Sequence, residues 1–197
     1  MPTSANPPII LASGSPRRTE ILTMAGICHE IIVSGADETV DGPPDQQVKD
    51  LSLRKARAVF DTLPTPKRGH IIIAADTLVS IQGQILGKPA HEEEAYAMLS
   101  ALSGHTHQVY TGVTVFQNNS THTFCETTHV TFRPIGEGEI MAYITTGQPF
   151  DKAGAYGIQD KAAIFIQQIE GDYYNVMGLP LSKLCLSLAS FGYNCWG

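Results

Sequence analysis

IILASGSPRRTEIL, residues 9–22, holds an apolar strand, a tight polar turn and the opening of a helix in one short span. Ser15 suits an N-cap, and Pro16 suits the first helical position, where its missing N–H has no partner to lose. Arg17 and Arg18 then fall in the first turn. That end of a helix is already positive, because its amides are unpaired and the peptide dipoles add, so each cation there loses a few tenths to about 1 kcal/mol. Residues 91–99, HEEEAYAML, follow the opposite habit, with Glu92, Glu93 and Glu94 in the first turn. The arginine pair therefore needs a reason. A glycine-containing turn at a helix N-terminus offers backbone amides to an anion, and guanidinium forks match phosphate oxygens. Two solvated arginines are the plainer reading. If the pair serves a ligand, Arg18→Ala should weaken binding of its phosphate groups while leaving the unliganded helix unchanged or improved.

Outward from this turn, the chain alternates strand and helix and then turns to hairpins. Residues 28–34, CHEIIVS, read as a second strand. DQQVKDLSLRKARAVF, 45–60, reads as a helix, because Val48, Leu51, Val59 and Phe60 share a face and cations surround the rest. HIIIAAD, 70–76, reads as a buried strand ending at Asp76, followed by a hairpin over 77–86 that turns at Gln82 and Gly83. Two long strands around the tip QNNS occupy 106–132. A helix over 137–147, a strand over 162–171 and a helix over 179–191 close the chain. The pattern predicts an α/β fold with a mixed, twisted central sheet flanked by helices.

With 197 residues and 43% hydrophobic content, the chain can bury a sizeable core as one domain over 1–197. A net charge of -6 argues against general binding to nucleic acid or an anionic membrane, so any anion site must be local. No apolar run reaches the length of a membrane span and the first ten residues lack a signal-peptide pattern, so a cytoplasmic protein is expected. The four cysteines form no C-x-x-C pair, and His105 and His107 in a threonine-rich strand pattern fit a polar sheet face better than a metal site.

Other candidates stand further along. Asp76, at the end of a buried strand, can bind a divalent cation, take a proton from water, or simply begin a turn. Lys88, between Gly87 and Pro89, can return to the same site as a point charge. DKAGAYGIQ, 151–159, brings backbone close to a ligand or forms a glycine-rich bend, and its Gln159 both donates and accepts. Asp37 and Glu38 offer hard oxygen ligands suited to magnesium. Tyr173 and Tyr174 fill the sheet or pack on a base.

Taken in order, SGSPRR (13–18), DE (37–38), AADT (74–77), LGKP (86–89), DKAGAYGIQ and VMGLPL (176–181) resemble the Maf family of nucleoside triphosphate pyrophosphatases. The resemblance implies hydrolysis of a nucleoside triphosphate to monophosphate and pyrophosphate, with Mg2+ or Mn2+, on a two-lobed fold with a cleft related to inosine triphosphatases. It also implies a homodimer and a house-cleaning role toward non-standard nucleotides. The chain contains no P-loop motif, in keeping with that family. By matching positions, Asp76 is the proton acceptor. Ser13, Arg17, Arg18, Glu38, Lys55 and Lys88 make up the phosphate and metal environment, with Glu38 and Asp76 toward the metal. Arg17, Thr77 and Gln159 are the specificity positions and resemble the dTTP- and UTP-hydrolysing branch. The branch associated with 7-methylguanosine triphosphate has Trp, Gln and Glu there. Two departures stand out, Arg54 and Gln148, where close relatives often carry acids. A nucleotide-binding regulator of septum formation, without turnover, is the rival expectation.

Overall fold

Short β-branched runs at Ile9–Leu11 and Ile71–Ile73 bury every residue, and this is why they pair as neighbouring parallel strands. The structure, a computed structural model, describes residues 6–118 and 120–196. Its elements are β1 (Ile9–Leu11), α1 (Pro16–Met24), β2 (His29–Ile31), α2 (Pro44–Thr62), β3 (Ile71–Ile81), β4 (Gln84–Leu86) and α3 (Glu92–Leu102). There follow β5 (Thr106–Gln117), β6 (Ser120–Phe132), α4 (Glu137–Ile144), β7 (Ile166–Glu170), α5 (Tyr173–Met177) and α6 (Leu181–Ala189).

Hydrogen-bonded strands run in the order β2-β1-β3-β5-β6-β7, with β4 paired to β3 outside that path. β1 is parallel to β2 and β3, whereas β4 is antiparallel to β3 and β7 to β6. The sheet is therefore mixed, as the alternation followed by hairpins predicts. Gln82 and Gly83 both take positive φ (51° and 82°), the demand of a two-residue turn that follows the strand twist.

The chain divides into two compact units. One comprises residues 1–76, 111–125 and 178–197, the other 77–110 and 126–177. In the first, Ala56, Val59 and Leu63 of and just after α2 pack on Ile10, Ile72, Ala74 and Phe116. In the second, Met98, Leu99 and Leu102 of α3 meet Val79, Val130, Phe132 and Phe165. Among the described residues no helix is long and apolar enough to cross a membrane.

Four sequence expectations are corrected. β3 does not end at Asp76 but continues to Ile81, because its first three residues pair with β1, its last three with β4, and β5 is its hydrogen-bonded neighbour on the other side. A polar residue interrupts the apolar run there without interrupting the strand. The strand expected over 162–171 begins only at Ile166, since the Asp160 carboxylate accepts the Ala162 N–H at 2.8 Å and starts a 3-10 turn over Lys161–Phe165. His107 is not on a polar face. It is fully buried against Phe132 and Tyr156, takes a 2.8 Å hydrogen bond with the Tyr156 hydroxyl, and burial pushes its pKa down to about 4. Tyr173 and Tyr174 lie on the short helix α5 and stack edge to face, outside the sheet.

Gly112 of β5 marks where α2 approaches the sheet most closely. A Cβ on it would lie 2.1 Å from the Val48 carbonyl oxygen, and helix backbone cannot yield as a side-chain tip can. Gly112→Ala is expected to lower stability by about 3 kcal/mol or more in urea unfolding. Gly138→Ala in α4, where a Cβ would meet nothing within 4 Å, should be neutral or gain up to about 1 kcal/mol.

Candidate active site

The turn between β1 and α1 is built around one hydroxyl. Ser15 occupies the N-cap and Pro16 the first helical position, as expected, but the Ser15 side chain makes no cap hydrogen bond. Instead Ser13 Oγ accepts the Ser15 N–H at 3.2 Å and the Arg18 Nη1–H at 2.9 Å. Arg18 Nε–H donates to the Gly178 carbonyl at 2.8 Å. The guanidinium is thus buried, 9% exposed, and held to residues on both sides of α1's first turn. Burial lowers its pKa to about 10, against the opposing pull of Asp76 and Glu38 and with the help of neighbouring Arg17. It remains a cation at neutral pH.

A second centre lies in the same unit. Lys55, on α2, places its ammonium 2.6 Å from Asp76 Oδ1 and 2.7 Å from Glu38 Oε1. The side chains of Lys55 and Asp76 are 12% and 13% exposed, whereas Glu38 is 67% exposed. Asp76 is presented by β3 and Glu38 by the loop after β2. That loop is shaped locally. Asp37 Oδ1 accepts the Thr39 N–H at 2.9 Å, which holds the Asp37 carboxyl below its ordinary pKa, and Arg54 donates to the Thr39 carbonyl at 2.6 Å. The departure at residue 54 therefore has work in the fold, since Arg54 ties the Glu38 loop to α2 one residue before Lys55. Sequence inspection gave Arg54 no such role. Its position next to Lys55, opposite an acidic loop, was the available signal.

Ser13, Arg18, Glu38, Lys55 and Asp76 are thereby joined by hydrogen bonds, ion pairs and mutual fields, with Arg17, half-buried, at the same helix start. The other three sequence candidates belong to the second unit. Thr77 follows Asp76 on β3, so strand alternation turns its side chain to the opposite face. Lys88 is exposed just beyond β4, and the Gly87 carbonyl before it accepts the Gly154 N–H at 2.9 Å. Gln159 is exposed between buried Ile158 and the Asp160 carboxylate, which takes hydrogen bonds from the Tyr143 hydroxyl at 3.2 Å. Lys88 and Gln159 thus ride on segments that the second unit ties down. At the other departure, the Gln148 carbonyl accepts from Lys152 Nζ at 2.6 Å.

Arg18 corrects an expectation. The sequence argument treats it as a cation opposed to the helix dipole, whose loss costs the unliganded protein nothing. In the structure two hydrogen bonds and the fields of two carboxylates offset the dipole.

Among the described residues no group of three or more His, Cys, Asp or Glu side chains is arranged to hold a metal by itself. The donors at hand are the Asp76 and Glu38 carboxylates, which converge on one ammonium. Hard oxygen donors of this kind are the ones Mg2+ takes.

Comparison with known proteins gives a consistent result. The family profile described as Maf-like protein matches residues 8–191. A dTTP/UTP pyrophosphatase of Bacillus cereus is 51% identical over 185 residues, covering 93% of this chain and 95% of that protein. One of Bacillus anthracis is 50% identical over the same coverage. A solved HAM1 protein from Coxiella burnetii covers 92% of this chain and 98% of its own at 16% identity, with a TM-score of 0.49, a likeness too slight to argue from.

Arg18→Ala should lower the unliganded protein's stability by about 2 to 4 kcal/mol, because it leaves the Ser13 and Gly178 acceptors without their donor and removes a cation from the field of two carboxylates. Urea unfolding of the variant, without nucleotide, checks the loss.

Proposed function

The chain belongs to the Maf family, and we propose that it hydrolyses nucleoside triphosphates to monophosphate and pyrophosphate, with dTTP and UTP as its best substrates. The observation that carries this reading is the convergence of Asp76 and Glu38 on Lys55 beside the Arg18 turn. It puts two carboxylates and the cations for a polyphosphate in one unit. The names of relatives at 50% and 51% identity support the choice of substrate.

In this reading the α1 start binds the triphosphate. Ser13 and Gly178 fix the Arg18 fork at the start of α1. The backbone amides of the helix start add donors whose charge needs no side-chain reorganisation. Glu38 and Asp76 would hold a divalent cation, Mg2+ or Mn2+, which supplies charge stabilisation on the phosphate oxygens when bound. Asp76 also carries the proton chemistry. It has two carboxylate oxygens and sits on a strand rather than a loop, so its position is fixed while one oxygen takes the proton of the water that attacks the α-phosphorus. The bond from the α-phosphorus to the oxygen it shares with the β-phosphate breaks, and pyrophosphate leaves against the positive charge of Lys55 and the arginines.

In the family pattern, base choice falls to the positions that Arg17, Thr77 and Gln159 fill in this chain. Uracil and thymine offer an N–H beside a carbonyl, and a carboxamide answers both with its oxygen and its NH2. A carboxylate answers only donors.

Asp76→Asn keeps the size of the side chain and an oxygen for Lys55 but removes the charge. Hydrolysis of dTTP should fall by about two orders of magnitude or more in protein that still folds, as pyrophosphate release and calorimetry would read. Near-normal turnover by folded protein would exclude the assignment. Gln159→Glu should erode the preference for dTTP and UTP over GTP and 7-methyl-GTP by about tenfold or more, since an acceptor-only group then faces a carbonyl. Ratios of kcat/KM across these nucleotides measure it, and a parent enzyme preferring a guanine nucleotide would overturn the substrate assignment.

A further inference from the structure

We infer that the Lys55 ammonium is a built-in stand-in for the divalent cation, occupying the position between Glu38 and Asp76 until a metal arriving with the nucleotide displaces it. The inference rests on the proposed role of those two carboxylates. It adds an order of events and a competitor, neither of which follows from the reaction.

The geometry carries it. Lys55 Nζ lies 2.7 Å from Glu38 Oε1 and 2.6 Å from Asp76 Oδ1, so one cationic atom bridges the two oxygens that a metal would bridge. Magnesium and manganese bind carboxylate oxygen at about 2.1 Å, and the lone pairs now accepting from the ammonium are the ones they need. An ammonium and a divalent cation cannot share that space, because their repulsion at such separation exceeds anything a partly buried site offsets. Lys55 has somewhere to go. It ends a flexible four-carbon stem on α2, and the phosphates of an incoming nucleotide replace the carboxylates as its partners.

The surrounding charge points the same way. Three cations, Arg17, Arg18 and Lys55, stand against two carboxylates, and the fields of Arg17, Asp76 and Glu38 all reach Arg18. A bare divalent cation meets a cluster that is already neutralised. A magnesium nucleotide brings its own negative charge, so it both supplies the metal and draws the ammonium away. The free protein should therefore bind metal weakly, and metal affinity should appear with nucleotide.

Manganese binding, read from the electron paramagnetic resonance of free Mn2+, tests this with the full-length protein. Without nucleotide, Lys55→Met should bind Mn2+ at least tenfold more tightly than the parent, and adding Asp76→Asn to that variant should abolish the gain. Lys49→Met removes the same charge from the same helix, where the ammonium pairs with Asp45 instead, and should leave affinity unchanged. Lys55→Gln, which keeps a donor for the carboxylates, should also gain affinity and guards against misfolding of the methionine variant. Each variant's melting temperature, which Mn2+ should raise for Lys55→Met and not for the parent, gives a second readout. If folded Lys55 variants bind no more tightly while the parent binds Mn2+ together with α,β-imido-dUTP, the stand-in is refuted and the metal role of the carboxylates survives. Absence of Mn2+ binding even with that nucleotide would remove the metal role and the inference with it.

Discussion

A buried guanidinium at the positive end of a helix is the constraint around which the first unit is arranged. Arg18 has little access to water, and the dipole of α1 opposes its charge. A cation in that position persists only if other groups replace hydration, and the structure supplies them from distant parts of the chain: Ser13 beside β1, Gly178 beyond α5, and the charges of Asp76 and Glu38. Each donor of charge or lone pair thereby becomes fixed in place. The polar turn, the VMGLPL segment and the acidic pair are tied to a single side chain, which explains why segments far apart in sequence act as one feature.

The acidic pair is itself held under positive control. Lys55 takes both carboxylates, and Arg54 clamps the loop that carries Glu38 by donating to Thr39. Adjacent residues on one helix thus divide two tasks, one gripping side chains and the other gripping backbone. Arg18, Lys55 and Asp76 stand on helix or strand, whereas Ser13 and Glu38 stand on loops, and Glu38 lies largely in solvent.

Much of this was legible in the sequence, and the failures share a cause. Element order and the mixed sheet followed from periodicity, Gly and Pro positions and the first-turn acids of α3. The Gln82-Gly83 turn followed from the same signals. Local pattern could not reveal that β3 runs on through Asp76, because the strands that pair with it, β1, β4 and β5, come from elsewhere in the chain. His107 looked like a surface residue among threonines, yet Tyr156, half a hundred residues later in the chain, supplies its partner across a buried core. Arg18 was recognised as anomalous from the helix dipole alone. What stabilises it was hidden, since Gly178 contributes only a backbone carbonyl, which no residue type advertises. The sequence exposes local preferences, and the site is made of long-range compensation.

The way the two units interleave along the chain has a consequence for synthesis. The first unit draws on residues 1–76, 111–125 and 178–197, whereas the second is complete by residue 177. As the chain emerges from the ribosome, β1, α1 and α2 are therefore made early but wait for more than half of translation before Gly178 and α6 can join them. During that interval the Arg18 guanidinium must stay hydrated, so its helix start remains open to solvent and to chaperones. The later unit, by contrast, can bury its own core first. Vectorial folding should thus run against the order of the sequence, with the part that holds Asp76 and Lys55 closing last.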